Sequence, residues 1–424
     1  MSAADWLICT LLASLLTTAG VAVICVLPTP EKSTVRTHFV LTYIASLILL
    51  AVYWNASASS GSQGFAYSDD EMYHAMGKAY AESGDIQQSI DSAGLRNPGF
   101  VLWTAYLYKF LGSNTIVVRL FNILFRCLWI VPIAFLCTAY GDPRTTRLAI
   151  YLSAWAPSAL LIGILHVKDV LAILAFLTAL AAIAFMRSWR NALFTLLASC
   201  AVIELVRQDL MLLVVPLATL QAARILFNQK RKGLFILLFA SVTAVAARSL
   251  PAMLSSWNSS VNFSDALLVI FSLTGQTAET ANGLAPFFIQ GFADLWKLPF
   301  SMAIVTILPF PPDLSWTNVY ITADGIASIF VLVLFPFALA GCLFSLKGRE
   351  ETRLPALAGL LGCAALLAIV FPGAIRYREQ MISLFSMMAA VGLRNWRDYK
   401  RLVIGSALCM VCAVIVGSLL HMQK

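Results

Sequence analysis

The chain alternates long apolar stretches with short charged connectors. Trp6 to Leu27, Thr115 to Tyr140, Ile321 to Leu346 and Leu402 to Leu420 are such stretches, and about 20 apolar residues in a helix cross a hydrocarbon core roughly 30 Å thick. Setting every apolar run against its connectors predicts about twelve crossings, near 4–27, 39–54, 115–140, 148–165, 170–186, 191–206, 210–227, 233–250, 322–346, 354–372, 379–394 and 402–420. The expected fold class is all-α, a polytopic transmembrane helix bundle. Its expected divisions are N-terminal membrane helices over 1–54, an outer loop over 55–114, a central bundle over 115–250, a second outer loop over 251–321 and C-terminal membrane helices over 322–424. Met1 to Trp6 carries only Asp5, so the first run lacks the basic leader of a cleaved signal and is expected to stay as a membrane helix.

Both long loops are expected to hold interfacial helices. In the first, Met72, Ala75, Met76, Ala79 and Tyr80 recur at helical spacing after Asp69-Asp70-Glu71, and Asp69 or Asp70 is placed to cap that helix. Asn97-Pro98-Gly99-Phe100 is a turn signal before a second amphipathic run, Val101 to Leu111, whose Trp and Tyr content suits a helix lying at the interface. In the second loop, Ser301 to Tyr320 is apolar but broken by Pro309, Pro311 and Pro312. It reads as re-entrant or interfacial rather than as a full crossing.

Composition agrees with the pattern. Apolar residues make up 60% and charged residues 12% of 424, against roughly 25% charged in an ordinary soluble domain. The net charge of +8 has no soluble basic domain to carry it, so nucleic acid is not an expected partner. All nine cysteines fall in apolar stretches. They read as small core residues, with no zinc-like spacing.

The distribution of charge sets an expected topology. Connectors 28–38, 141–147, 187–190, 224–232, 347–353 and 394–401 hold about 17 Lys and Arg against about 5 Asp and Glu, and the opposite set about 10 against about 15. Basic residues near helix ends resist translocation, so the first set is expected in the cytoplasm and both termini and both long loops outside.

Polar residues gather on the outer side. Asp69-Asp70-Glu71 reads either as a capped, solvated helix start or as a general base, with or without a divalent ion, facing a membrane-embedded substrate. His166-Val167-Lys168-Asp169 and Glu204 to Asp209 are tight connectors whose charges lie at the outer membrane boundary. Lys168 and Asp169 read equally as a local ion pair or as part of an anion site, and Arg207 and Asp209 stand beside them as substrate-contact candidates. Arg376-Tyr377-Arg378 follows Pro372, and two Arg at i and i+2 suit a phosphate clamp or interfacial snorkelling. Arg119, Asn122 and Arg126 share one helix face, which puts Arg126 roughly 16 Å below the outer end. An intramembrane Arg is a functional-site hypothesis by default, with a structural ion pair as the alternative. Cations within the outer half beneath carboxylates suit a lipid monophosphate or pyrophosphate. The arginines would bind the leaving phosphate while a carboxylate takes the acceptor's proton.

At these residues the sequence resembles the GT-C superfamily of polytopic glycosyltransferases, which includes protein O-mannosyltransferases, aminoarabinose transferases and bacterial polyprenyl-phosphate-sugar transferases. The resemblance rests on Asp69-Asp70-Glu71-Met72-Tyr73 and the run to Gly84, Asn97-Pro98-Gly99-Phe100, Arg119-Leu120-Phe121-Asn122, Ser158 to Lys168-Asp169, and Arg376-Tyr377-Arg378. It spans residues 60–395 and departs from the family in placing the acidic loop after the second membrane helix. The resemblance implies a GT-C-like fold in the bacterial inner membrane with its active site on the extracytoplasmic side. It further implies a polyprenyl-phosphate-linked sugar as donor and a glycan, lipid or protein as acceptor. Asp69 or Asp70 would be base or metal ligand, for Mg or Mn if any metal is used, and Lys168, Arg376 and Arg378 would touch the donor phosphates. Two other functions are weighed beside this one: a polysaccharide polymerase or ligase using a lipid pyrophosphate-linked oligosaccharide, and a transporter or flippase, which would place its polar groups near the midplane of repeated halves.

Overall fold

The structure is a computed structural model that describes residues 3–59, 65, 68–84, 98–186, 191–228, 289, 292–307, 319–348, 351–370 and 378–422. Every regular element among the described residues is helical. In chain order these are α1 (Ala3–Val26), α2 (Lys32–Ser59), α3 (Ser68–Ser83), α4 (Pro98–Leu111), α5 (Thr115–Leu128), α6 (Ile130–Cys137), α7 (Pro143–Ala154), α8 (Pro157–Gly163), α9 (Asp169–Ala184), α10 (Ala192–Val206), α11 (Met211–Asn228), α12 (Leu298–Ile307), α13 (Val319–Lys347), α14 (Leu354–Val370), α15 (Glu379–Arg394) and α16 (Lys400–Met422). Among the described residues five stretches are long and apolar enough to cross a membrane: Ile8–Val26, Lys32–Ser57, Thr115–Tyr140, Gln208–Ile225 and Gly325–Lys347. Asp169–Ala184, Ala192–Val206 and Leu354–Ala368 are apolar but shorter. The crossing expected over 233–250 and most of the second loop lie outside the described residues.

Prolines decide where the apolar runs break. The run expected to cross over 148–165 is two helices, α7 and α8, because Pro157 disfavours helical geometry in the residue before it. Ala156 is accordingly non-helical, at φ −59° and ψ 121°, and Pro157 opens the next helix. The 115–140 run divides at Trp129, whose N–H bonds the Arg126 carbonyl one residue short of the α-helical partner. Pro132, three residues on, has no N–H to give the Leu128 carbonyl. Within the segment expected to be re-entrant, α12 has ten residues, roughly 15 Å of helix and too short to span; residues 308–318 lie outside the described set.

The chain forms two compact units, one of Met1–Ala179 with Leu197–Gln208 and the other of Leu180–Leu196 with Asp209–Lys424. In the first, α5 is central. It packs on α1, α2, α4 and α8, and its span has 78% of an 18-residue window buried against 28% for the N-terminal span. Leu11, Leu15, Ile48 and Val52 of α1 and α2 point outward and are exposed, a placement that suits lipid rather than water. The eight described cysteines are free. Cys25 and Cys409 are exposed, which corrects the expectation that the cysteines are core residues.

Connectors assigned by charge to one side meet one another. Glu31, at φ 50°, accepts from Arg147 Nε at 2.6 Å, joining connectors 28–38 and 141–147. In the second unit Lys347 Nζ lies 4.9 Å from the Tyr399 ring centroid, joining 347–353 and 394–401. Members of the opposite set meet in the first unit, as described below. In each unit, taken by itself, the contact joins two connectors of one set.

In the second unit α13 and α15 touch backbone to backbone. A Cβ on Gly392 would stand 1.8 Å from the Phe337 carbonyl oxygen, and one on Gly341 2.0 Å from that of Met388. Small residues permit this approach where dispersion, rather than the hydrophobic effect, drives helix association. Gly392→Ala is expected to lower stability by about 1–3 kcal/mol, the usual cost of overpacking. Gly405→Ala, with open space around it, should leave stability unchanged. Thermal unfolding of both variants in one detergent checks the contrast.

Candidate functional site

α3 starts at Ser68, so Asp69 and Asp70 lie inside its first turn rather than at the cap. Residues three and four apart share a helix face, and the face that carries Asp70, Tyr73, His74 and Gly77 turns inward. Asp70 has no exposure, Tyr73 is buried, His74 half-buried and Glu71 exposed; the Asp69 side chain is outside the described set. α3 packs on α4 through Gly77, where a Cβ would come within 2.5 Å of Thr104 Cγ2. Tyr73 meets Phe100 edge-on, centroids 5.2 Å apart. The start of α4 seats on α10, where a Cβ on Gly99 would be 2.6 Å from the Leu205 carbonyl oxygen. The Asn97 to Phe100 turn signal thus marks a close backbone approach.

Beside α3 and α4 runs the non-helical connector between α8 and α9, held from α5. Asn122 Nδ2 donates to the carbonyls of Leu165 at 2.7 Å and Val167 at 3.0 Å, fixing the backbone on both sides of His166. Trp129 Nε1 donates to the Val170 carbonyl at 3.0 Å. Arg126 donates to the carbonyl of Ala154, the last residue of α7. Its stem lies on Gly163, where a Cβ would be 3.0 Å from Arg126 Cγ. One partner of this intramembrane arginine is thus a helix-terminal carbonyl.

His74, Thr104, Tyr108 and His166 converge between these elements. His74 Nδ1 and Tyr108 Oη are 2.7 Å apart, and His166 Nε2 and Thr104 Oγ1 3.3 Å. The two imidazole rings stand edge to face with centroids 6.3 Å apart, and Phe100 closes the His166 side at 5.8 Å. His166 is completely buried, and its Nδ1 has no hydrogen-bond partner among the described residues. Burial first, then Arg119 and His74, holds the His166 pKa well below its ordinary 6.5. His74 is lowered by burial, then by Lys78 and Arg119, with Glu71 opposing.

The expected cationic residues take different partners. Arg119 is fully buried, its guanidinium 5.7 Å from the Tyr53 ring centroid and 5.4 Å from that of Trp54. Lys168 lies over the Tyr73 ring at 5.8 Å. Asp169 pairs with Arg207 from the other outer connector, and both side chains are 3% exposed. This ion pair ties two connectors together, whereas a pair between Lys168 and Asp169 would have been local. Asp209 is half-buried and belongs to the second unit. Arg378 is buried there, with Nη1 donating to Ser328 Oγ at 3.0 Å and Nε 3.7 Å from Glu379. Arg376 and Tyr377 lie outside the described residues.

His74, Thr104 and Tyr108 were not singled out from the sequence. A signal existed for the first: His74 sits four residues after Asp70 and is one of only four histidines. Among the described residues no three His, Cys, Asp or Glu side chains gather to hold a metal ion. The side chain of Asp69, one of the two candidate metal ligands, lies outside that set.

No family model matches the chain, and no curated protein matches it. Among solved structures it is similar to the archaeal oligosaccharyltransferase AglB from Archaeoglobus fulgidus in complex with an inhibitory peptide and a dolichol-phosphate. The TM-score is 0.37 and the identity 15%, over 76% of this chain and 46% of that one. It is also similar to the apo form of the Archaeoglobus fulgidus oligosaccharyltransferase, with TM-score 0.41 and 15% identity over 91% of this chain and 55% of that one. The chain spans about half the length of these solved chains.

Two stability outcomes follow from the geometry. Asp169→Asn leaves the Arg207 charge buried without its counter-ion and is expected to cost about 3–5 kcal/mol, read as a lowered unfolding temperature in detergent. Lowering pH should also destabilise the fold. Well above 6.5 both histidines are neutral in the unfolded chain as in the folded one. As pH falls through 6.5 the unfolded chain takes up protons that folded His166 and His74 resist, so stability declines toward their lower folded values. His166→Gln should flatten part of that decline between about pH 7 and about pH 5.

Proposed function

We propose that the protein is a membrane glycosyltransferase that moves a sugar from a polyprenyl-phosphate-linked donor to a hydroxyl of a glycan, lipid or protein acceptor. The reaction takes place at the outer face of the membrane, the bacterial plasma membrane by the resemblance described above. The observation that carries this reading is Asp70. It is a carboxylate with no exposure on a helix outside the crossings, followed one turn later by Tyr73, whose ring lies under the Lys168 ammonium. Arg119 is near enough to lower the pKa of His74 and His166. A carboxylate and cations brought to one end of an apolar bundle support transfer from a lipid phosphate.

In this reading Asp70 takes the proton of the acceptor hydroxyl as its oxygen attacks the anomeric carbon from the face opposite the phosphate, inverting that centre. Lys168 and Arg119 steady the charge that gathers on the departing phosphate. Asp69 shares the first turn and is the alternative base. Glu71, on the exposed side of α3, has no part in the step.

Purified protein in nanodiscs, supplied with a panel of polyprenyl-phosphate sugars and acceptors, should transfer sugar. Asp70→Asn should lower kcat by about 10²–10⁴, the usual loss of a general base, while the protein remains folded and inserted. A variant within about tenfold of wild type would remove Asp70 from the reaction. Turnover only with a lipid pyrophosphate-linked oligosaccharide would make the protein a polymerase or ligase, and a chelator arm tests the metal.

A further inference from the structure

We propose that the first unit binds the phosphate headgroup of an anionic phospholipid where the start of α7 meets the start of α2. Arg144 supplies the charge, Arg147 the oriented donors, and Tyr151 the surface along which the lipid continues into the bilayer. The span Thr115–Tyr140 separates this end of the unit from α4. The proposal uses no residue of the transferase reading and does not depend on it.

Contacts between α2 and α7 fix the geometry. Glu31, just ahead of α2, accepts from Arg147 Nε at 2.6 Å. Seven residues further along, His38 Nδ1 accepts from Trp155 Nε1 at 3.2 Å, and its ring meets that of Tyr151 edge-on with centroids 5.7 Å apart. Glu31 and His38 therefore hold Arg147, Tyr151 and Trp155 at two levels of one seam. Nε is the one Arg147 nitrogen of the guanidinium with a partner among the described residues. The carboxylate thus orients the group and leaves both terminal amino groups to fork onto phosphate oxygens.

The outward side of this seam is cationic. Arg144, Arg147 and Tyr151 follow one another at spacings of three and four, which puts them on one face of α7, and all three are exposed, the Arg147 side chain by 59% and Tyr151 by 51%. Among the described residues the Arg144 guanidinium has no partner. Its near neighbour Asp142 is engaged as the cap of α7, accepting from the Arg144 backbone N–H and from Thr145 Oγ1 at 3.0 Å each. Glu31 offsets the charge of Arg147, so the charge left for an anion is that of Arg144. The two connectors together, 28–38 and 141–147, hold four Lys and Arg against two Asp and Glu.

A phospholipid fits this face better than a soluble anion does. From Arg144 to Tyr151 the helix rises roughly 10 Å, and over that rise the face passes from guanidinium groups to an aromatic ring. A small anion would use the first half alone. A lipid uses both, with its phosphate on the arginines and its glycerol and first methylenes beside Tyr151, at the depth that tyrosine favours in a bilayer. Basic pockets between membrane helices on the cytoplasmic side suit such headgroups, and the charge bias assigns both connectors to that side. A zwitterionic headgroup brings its own ammonium toward Arg144 and gains less.

Native mass spectrometry of the full chain in detergent, with phosphatidylglycerol and phosphatidylcholine added in equal amounts, tests the site. Wild type should retain phosphatidylglycerol in preference to phosphatidylcholine. Arg144→Gln should lower phosphatidylglycerol retention by about fivefold, and Arg144→Gln with Arg147→Gln by about tenfold or more, while phosphatidylcholine retention stays the same. Thermal unfolding accompanies each variant. Should loss of the Arg147 contact with Glu31 prevent folding, Arg144→Gln alone, which removes no side-chain contact, carries the test. A preference that survives Arg144→Gln undiminished overturns the proposal. An equal loss in Arg36→Gln, an exposed arginine of α2 five residues and about 140° around the helix from Glu31, makes the attraction a general surface potential and overturns it too. Displacement of the lipid by soluble glycerol phosphate at matching concentration makes this a small-anion site and overturns the lipid as its occupant.

Discussion

Three donors on α5 and the residue that follows it hold the first unit together, because an apolar bundle offers a non-helical backbone no water. Asn122, Arg126 and Trp129 give hydrogen bonds to the carbonyls of Leu165, Val167, Ala154 and Val170. Those of Ala154, Leu165 and Val167 fall where the chain stops being helical, at the end of α7 and in the connector from α8 to α9, and that of Val170 lies in the first turn of α9. A backbone group left unpaired in such surroundings costs several kcal/mol. The polar residues of an otherwise apolar helix are therefore the condition for having bends beside it.

That constraint also shapes the chemistry. The connector that Asn122 pins presents His166 toward α4 and Lys168 toward α3, so the same bonds that satisfy Leu165 and Val167 preorganise the side chains between and beyond them. α3 and α4 then close over the connector through contacts that admit no extra carbon, at Gly77 against Thr104 and Gly99 against Leu205. Rigid support of this kind keeps a site accurate to a fraction of an ångström. It explains why glycines stand at the two closest approaches of a loop that otherwise has the composition of an interfacial helix pair.

Much of the fold was legible because long apolar helices bounded by charged connectors write their limits in the sequence. The apolar runs predicted at 4–27, 191–206, 354–372 and 379–394 correspond to α1, α10, α14 and α15 within two residues at each end. Pro157 carried the break between α7 and α8 openly, but hydropathy averages over it. The site was legible only in part. Asp70, Arg119, Asn122, His166 and Lys168 stood out as polar groups in costly places. Their partners did not, since hydrogen bonds and ion pairs across the unit join residues far apart in sequence. His74 and Tyr108 are separated by 34 positions, Asp169 and Arg207 by 38, and Thr104 and His166 by 62. A local reading pairs Lys168 with Asp169 because they are neighbours, while the fold pairs Asp169 across connectors.

Partner type sorts the basic residues by what they offer an anion. A carboxylate partner cancels a guanidinium's charge and leaves a dipole, whose field falls off faster with distance than that of a charge. Arg207 with Asp169 and Arg378 with Glu379 are such pairs. An aromatic face stabilises a cation through its quadrupole without removing the charge; Arg119 lies near the Tyr53 and Trp54 rings and Lys168 over that of Tyr73. Arg126 is a third case, with a helix-terminal carbonyl that orients it and supplies only a partial negative charge. The two ion pairs also differ in reach: Arg207 with Asp169 fastens one connector to another, whereas Arg378 and Glu379 are neighbours in sequence, so their pair stiffens the start of α15 and joins nothing across the fold.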